Sequence, residues 1–150
     1  IEYSAAVIDW HERDLLPDTA GLADDGRVTL VCADFFTAAT DSVGFDPDSP
    51  GRTYDAILLD IDHSPRHVLH APHARFYTDE GLHAASTRLV PGGTFAMWSD
   101  DPPDEDFTAL LGSVFTDAEA QSIWFDNPIT RGRSAATIYL ATRAHGDGGP

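Results

Sequence analysis

The feature that most constrains this chain is a series of short apolar runs, each closed by an acidic residue or a turn, with helix-period segments between them. Val28-Thr29-Leu30-Val31-Cys32-Ala33 ends at Asp34, and Tyr54-Asp55-Ala56-Ile57-Leu58-Leu59 ends at Asp60. Thr94-Phe95-Ala96-Met97-Trp98 follows Pro91-Gly92-Gly93. Nearly continuous apolar runs of this length are what strands buried on both faces of a parallel sheet look like. Leu82, Ala85, Ser86 and Leu89 recur at i, i+3, i+4 and i+7, and so do Phe107, Leu110, Leu111 and Val114, which predicts one helix face each. Ser4 predicts the cap of a further helix running to about Leu16 and stopped by Pro17. Asp24-Asp25-Gly26 reads as a turn, and residues 37–53 as a loop or a short helix followed by a loop. Thr78 or Asp79 opens the next helix, which Pro91-Gly92-Gly93 is expected to end. Pro102 and Pro103, with Asp104 and Glu105, mark another helix start. Residues 120–125 and 135–141 read as an antiparallel strand pair across a longish loop.

The resulting order alternates helix and strand and closes on two strands. It predicts an α/β fold: a Rossmann-like three-layer sandwich, its sheet mostly parallel, with an antiparallel C-terminal strand pair. Residues 1–142 form the expected domain and residues 143–150 an expected disordered tail.

Composition narrows the partners. A chain of 150 residues suffices for one domain with a real core. It has no apolar stretch of about 18 residues that would span a membrane, and Ile1-Glu2-Tyr3-Ser4 is not the opening of a signal peptide. Cys32 is the single cysteine, so no internal disulfide forms and a cytoplasmic setting is expected. Cys32, Trp10, Trp98 and Trp124 are expected to pack in the interior. Asp and Glu total 25 against nine basic residues, all arginine, for a net charge of −16. Such a field repels nucleic acid and anionic lipid and attracts a small cation such as an amine. A homodimer is left open.

In doubly wound sheets, ligands bind beyond the carboxyl ends of the strands. Glu2, Asp34 and Asp60 fall at such ends, where a carboxylate accepts hydrogen bonds from ribose hydroxyls, an adenine amino group or a substrate amine. His63, His67, His70 and His73 have the look of a metal cluster. Pro65 and Pro72 break the shared helical face, however, so no metal is expected and local hydrogen bonding is.

At this point the chain resembles a known family. Ile1 to Trp10, Arg27 to Asp34, Tyr54 to Pro65, Phe76-Tyr77-Thr78 and Leu89-Val90-Pro91-Gly92-Gly93 resemble, in order, segments of spermidine synthases and their relatives. These belong to the class I S-adenosylmethionine-dependent methyltransferase fold. The resemblance implies a transferase that moves an aminopropyl or methyl group from decarboxylated S-adenosylmethionine or S-adenosylmethionine to a small amine acceptor. It implies that Glu2 holds the ribose hydroxyls, that Asp34 meets the adenine amino group with Phe35 beside the ring, and that Asp60 orients or deprotonates the acceptor. Asp62, His63 and Tyr77 are the remaining candidates for acceptor contacts. Polyamine-making members carry Asp-x-x-Asp-Pro after this strand. In Asp60-Ile61-Asp62-His63-Ser64-Pro65 the second acid comes one place early and the proline one place late. A glutamine usual after the next strand is absent from Trp98-Ser99-Asp100-Asp101, so the acceptor stays open. The family's first strand and glycine-rich turn would precede residue 1. The expectation is therefore that an N-terminal portion, or another chain, completes the sheet. Two other readings compete: a haloacid dehalogenase-like magnesium phosphatase using Asp60 and Asp62, with Asp100 and Asp101 as further oxygen ligands, and a non-catalytic module of the same fold.

Overall fold

The structure, a computed structural model, describes residues 1–146. The chain forms two compact units, Ile1–Arg52 and Thr53–Pro150; the last four residues of the expected tail lie outside the described residues.

In the first unit, α1 (Ala5–Glu12) follows Ser4, whose side chain makes no capping bond. The Glu2 carboxylate caps this end instead, accepting the Ser4 N–H at 2.6 Å. The helix is shorter than its pattern predicts. Asp14 has a left-handed φ of 52°, and the chain has left helical geometry before Pro17 is reached. A 3₁₀ turn (Pro17–Thr19) and then α2 (Phe35–Thr40) follow. Residues 28–33 do not form the expected strand. They make a single parallel bridge, Glu2 to Cys32, through Glu2 N–H to Val31 C=O at 2.9 Å and Ala33 N–H to Glu2 C=O at 3.1 Å. Apolar composition supplies the tendency, but a strand exists only where neighbours take up its backbone groups. Cys32 is accordingly exposed, not buried, and α1 buries none of its residues, leaving Trp10 45% exposed.

The second unit carries the sheet: β1 (Tyr54–Leu59), β2 (Leu89–Ser99), β3 (Thr116–Asn127) and β4 (Gly132–Thr142), with α3 (Asp79–Thr87) before β2 and α4 (Glu105–Val114) before β3. The order is β1-β2-β4-β3, with β1 and β3 as end strands. The α/β class and the antiparallel final pair agree with expectation. The sheet is not mostly parallel among the described residues, because β1–β2 is the one parallel pairing and β2–β4 and β3–β4 are antiparallel. Leu89 belongs to β2 and not to the preceding helix, which ends at Thr87 with Arg88 as its C-cap. Pro91 favours extended geometry at Val90, and Tyr54 N–H takes the Arg88 carbonyl at 2.8 Å, so pairing begins before the glycines. Arg143, assigned to the tail, prolongs this pairing: Gly92 N–H meets its carbonyl at 2.9 Å, and its own N–H reaches Gly93 C=O at 2.8 Å.

Register explains the core. Ile57 pairs with Phe95 and Leu59 with Met97; Phe95 pairs with Ala141, Met97 with Tyr139 and Ser99 with Thr137. Period-2 alternation therefore puts all of these on one face, and all are buried. α3 and α4 cover that face with Leu82, Ala85, Phe107 and Leu111. Two aromatic chains stitch the layers: Phe76–Phe95–Phe115, with ring centroids 6.3 and 5.5 Å apart, and Tyr77–Phe107–Tyr139, at 5.9 and 5.0 Å. Such pairs add about 0.5–1.5 kcal/mol each beyond their buried area. The opposite face is barer: Leu58 is 78% exposed and Trp98 half-buried.

Candidate functional site

Asp60 is the first residue past β1, at the carboxyl end of the parallel pair. It is exposed, and its carboxylate has no hydrogen-bond or ion-pair partner among the described residues. Asp62, two residues on, is the reverse. Its side chain has 0% exposure. Oδ1 accepts the Leu69 N–H at 2.7 Å and faces His73 Nδ1 at 2.9 Å, while Oδ2 accepts the Tyr77 hydroxyl at 2.9 Å. A buried carboxylate is tolerated because donors occupy its lone pairs, and here one residue ties together segments seven, eleven and fifteen positions downstream. Burial, and then the neighbouring Asp62 charge, push the Tyr77 hydroxyl well above the usual tyrosine range.

The remaining side chains after β1 zip onto the segment after β2. His63 Nδ1 lies 3.1 Å from Asp100, and Asp100 N–H donates to the His63 carbonyl at 2.7 Å. His67 Nδ1 lies 2.7 Å from Asp101. Arg66 grips Asp104 with Nε at 2.5 Å and Nη2 at 3.1 Å, and reaches Asp106 at 2.9 Å. The Ser64 hydroxyl, and after it His67, lower the Asp101 carboxyl below its ordinary range; Arg66 does the same for Asp104. Asp104 also caps α4 by accepting the Phe107 N–H at 3.1 Å, and its own N–H donates to the Tyr139 hydroxyl at 2.8 Å. His63, His67 and His73 thus meet separate carboxylates, His70 lies edge-on to the His73 ring at 5.2 Å, and among the described residues no three His, Cys, Asp or Glu side chains converge as a metal site. His63 faces Asp100; Asp62 and Tyr77 face each other. Asp60 stands apart from this network.

In the first unit the bridge between residues 2 and 32 brings Glu2 and Asp34 to the same end of two parallel segments. Each carboxylate uses one oxygen locally: Glu2 Oε1 takes the Ser4 N–H, and Asp34 Oδ1 takes Phe36 and Thr37 N–H at 2.9 and 3.3 Å. The second oxygen of each has no partner among the described residues. Phe35 is buried and stacked on Phe45 at 5.1 Å. The Arg66–Asp104 strap and the Tyr139 contact have no signature in the local sequence. The Asp-Asp-Pro-Pro-Asp string signalled a helix start, but nothing local names a partner 38 residues earlier.

No family model matches the chain. A curated relative, a polyamine aminopropyltransferase of Corynebacterium efficiens, is 33% identical over 99 residues, covering 66% of this chain and 17% of the relative. A spermidine synthase from Thermotoga maritima superposes with a TM-score of 0.62 at 17% identity, over 95% of this chain and 44% of that one. A spermidine synthase bound to the transition-state analogue AdoDATO gives 0.61 at 17% identity over 95% and 43%. An N-methyltransferase from Bradyrhizobium japonicum bound to S-adenosyl-L-homocysteine gives 0.50 at 11% identity over 85% and 61%. This chain therefore spans less than half the length of the curated relative and of both spermidine synthases. The fold is the class I S-adenosylmethionine-dependent methyltransferase fold. Within that class its form is spermidine synthase-like.

Proposed function

We propose that this chain is part of a transferase that moves an aminopropyl or methyl group from decarboxylated S-adenosylmethionine or S-adenosylmethionine to a small amine, with Asp60 as the group that receives the acceptor. The observation that carries this reading is the contrast between two neighbouring acids. Asp62 is enclosed and saturated, whereas Asp60 is exposed, unpartnered and at the carboxyl end of a parallel strand. An exposed carboxylate with no protein partner keeps its lone pairs for a ligand, and the carboxyl end of a parallel strand in an α/β sheet is where ligands bind.

A donor of this class supplies a sulfonium-activated carbon; the residues of this chain do the rest. An ammonium has no lone pair, so the amine must attack as the free base. The nitrogen lone pair forms the new N–C bond, the C–S electrons return to sulfur, and the proton shed by nitrogen passes to Asp60 and on to water. Asp60 also stabilises the developing positive charge on nitrogen and orients the lone pair, and positioning is a large part of catalysis for such displacements. Glu2 and Asp34 fit the nucleoside end. Each is held rigid through one oxygen by backbone N–H groups and keeps the other for a hydroxyl or amino donor. The AdoDATO and S-adenosyl-L-homocysteine bound to two of the similar structures support this choice of ligand class. Burial gives Asp62 and Tyr77 the task of holding the segment after β1 in shape.

The test is calorimetry on the full-length protein with S-adenosylmethionine, its decarboxylated form and 5′-methylthioadenosine, followed by amine turnover. At least one of the three is expected to bind, and Asp60→Asn is expected to keep that affinity while lowering turnover about 10²–10⁴-fold. Failure of all three to bind would sink the transferase reading; full turnover by Asp60→Asn would sink the role of Asp60.

A further inference from the structure

We infer that the acceptor of this transferase is a monoamine with an apolar body, its one ammonium on Asp60 and its body laid along Trp98, Leu58 and Ile138. The inference rests on the transferase reading and adds the class of acceptor to it. Sheet register carries it. Leu58 pairs with Ala96 and Ala96 with Leu140, while Trp98 pairs with Ile138. Side chains alternate between faces, so all five lie on the face opposite the aromatic core. The β1–β2 register runs to Leu59 and Met97. One further step sets Asp60 beside Trp98, about 4.8 Å away across the strands and on the same face as Leu58. An open carboxylate therefore borders an apolar strip. Leu58 is 78% exposed, and Trp98, Ile138 and Leu140 are half-buried. The Trp98 indole Nε1–H donates to Asp100 Oδ1 at 3.3 Å. The one polar atom of the ring is thus satisfied, and what remains to face a ligand is aromatic carbon. Such a surface packs methylene or aryl groups and attracts the ammonium beside them.

The carboxylates decide how many charges the acceptor carries. A diamine needs a second anionic partner, and the acids around Asp60 are already engaged. Asp62 is enclosed with its three donors in place. Asp100 takes Trp98 on Oδ1 and faces His63 on Oδ2. Asp101 meets His67 and Ser64. Asp104 holds Arg66 and caps α4. Among the described residues, Asp60 is thus the one carboxylate without a protein partner in segments 60–67 and 99–104. Arg66, on the first of these segments, is a cation and repels a second ammonium. That second charge would have to lie unpaired against Leu58, Trp98 or Ile138, and an unpaired charge on apolar surface is costly where an alkyl or aryl group is not.

Amine binding and turnover by the full-length protein test it, with hexylamine set against cadaverine, in which a second ammonium replaces the terminal methyl. Binding is read by calorimetry with 5′-methylthioadenosine present, and turnover as kcat/KM with the donor. Hexylamine is expected to be favoured by about tenfold or more in both, the scale of one apolar group in an apolar site. Trp98→Ala is expected to remove most of that preference by raising KM for hexylamine with kcat little changed, and Leu58→Ser to reduce it in part. Equal or reversed preference overturns the inference, and so does a preference that neither variant alters; another segment of the polypeptide lying over this face would give such a result. Binding of the nucleoside with neither amine bound beside it overturns the inference and leaves the donor class standing. Failure to bind any of the three nucleosides overturns both. Should Trp98→Ala fail to fold, Leu58→Ser, at an exposed position, decides.

Discussion

Replacing Asp62 tests the central structural claim, that one buried acid organises the segment after β1. Asp62→Asn keeps the shape and one acceptor oxygen. That oxygen continues to serve Leu69 N–H and His73 Nδ1, but the new amide group points at the Tyr77 hydroxyl, which has to turn round and loses its own acceptor. Hydrogen bonds to a charged acceptor contribute about 1.5–3 kcal/mol and neutral ones about 0.5–1.5, so each of three bonds weakens by about 1 kcal/mol. Leu69 is exposed and His73 keeps 13% side-chain exposure, so water recovers part of the loss, and about 2 kcal/mol is expected. Asp62→Leu removes the shared acceptor of all three donors and is expected to cost more, about 3–5 kcal/mol. Thermal and urea unfolding of the full-length protein measure both, and Asp62→Asn is expected to lower Tm by about 4–8 °C. A second readout is specific to the contact. In Asp62→Asn the Asp62 charge no longer opposes ionisation of Tyr77, so that tyrosine is expected to ionise at lower pH than in the wild type, although burial still holds it above the ordinary range. Asp62→Asn as stable as wild type, or an unchanged Tyr77 titration, would refute the reasoning.

Three further outcomes are expected. A Cβ at Gly81 would lie 2.6 Å from Phe76 Cα, on backbone that cannot give way, so Gly81→Ala is expected to destabilise by at least about 1–3 kcal/mol in denaturant unfolding despite the better helix propensity of alanine. Asp104→Ala loses both the α4 cap and the Arg66 strap and is expected to cost about 1–2 kcal/mol, against less than about 1 for Arg66→Ala. Because the Asp104 carboxyl is held below its usual range, its contribution is present above that range and lost as pH falls through the depressed value, so the gap between Asp104→Ala and wild type is expected to close in acid. Burial raises both Tyr77 and Tyr139, so absorbance titration is expected to find these two ionising above the ordinary tyrosine range. The folded state then keeps protons that the unfolded chain releases above about pH 10, and stability is expected to fall with rising pH from there.

Much of the fold was legible in local pattern. The run from Tyr54 to Leu59 is β1, residue for residue, and Thr78 caps α3 through the Gly81 N–H. Phe107 and Leu111 do turn inward from α4. What local pattern missed depended on neighbours. Val28 to Ala33 is as apolar as β1 yet makes only one bridge, and Trp124 is aromatic yet lies on an open edge. Leu89 fits the helical period, but the pull of β1 and the geometry ahead of Pro91 place it in a strand.

The acids after β1 draw the line between what was written locally and what was not. The sequence by itself determined that a strand ends at Asp60 and that acids and histidines crowd the turn beyond it, because strand and turn signals are carried by adjacent residues. Only the tertiary structure decided which acid was enclosed and which left open. Asp62 is buried because Leu69, His73 and Tyr77 come from separate points downstream to satisfy it, whereas Asp60 is exposed, with no donor brought to it among the described residues. Burial of a charge is settled by partners, and partners are a property of the folded chain.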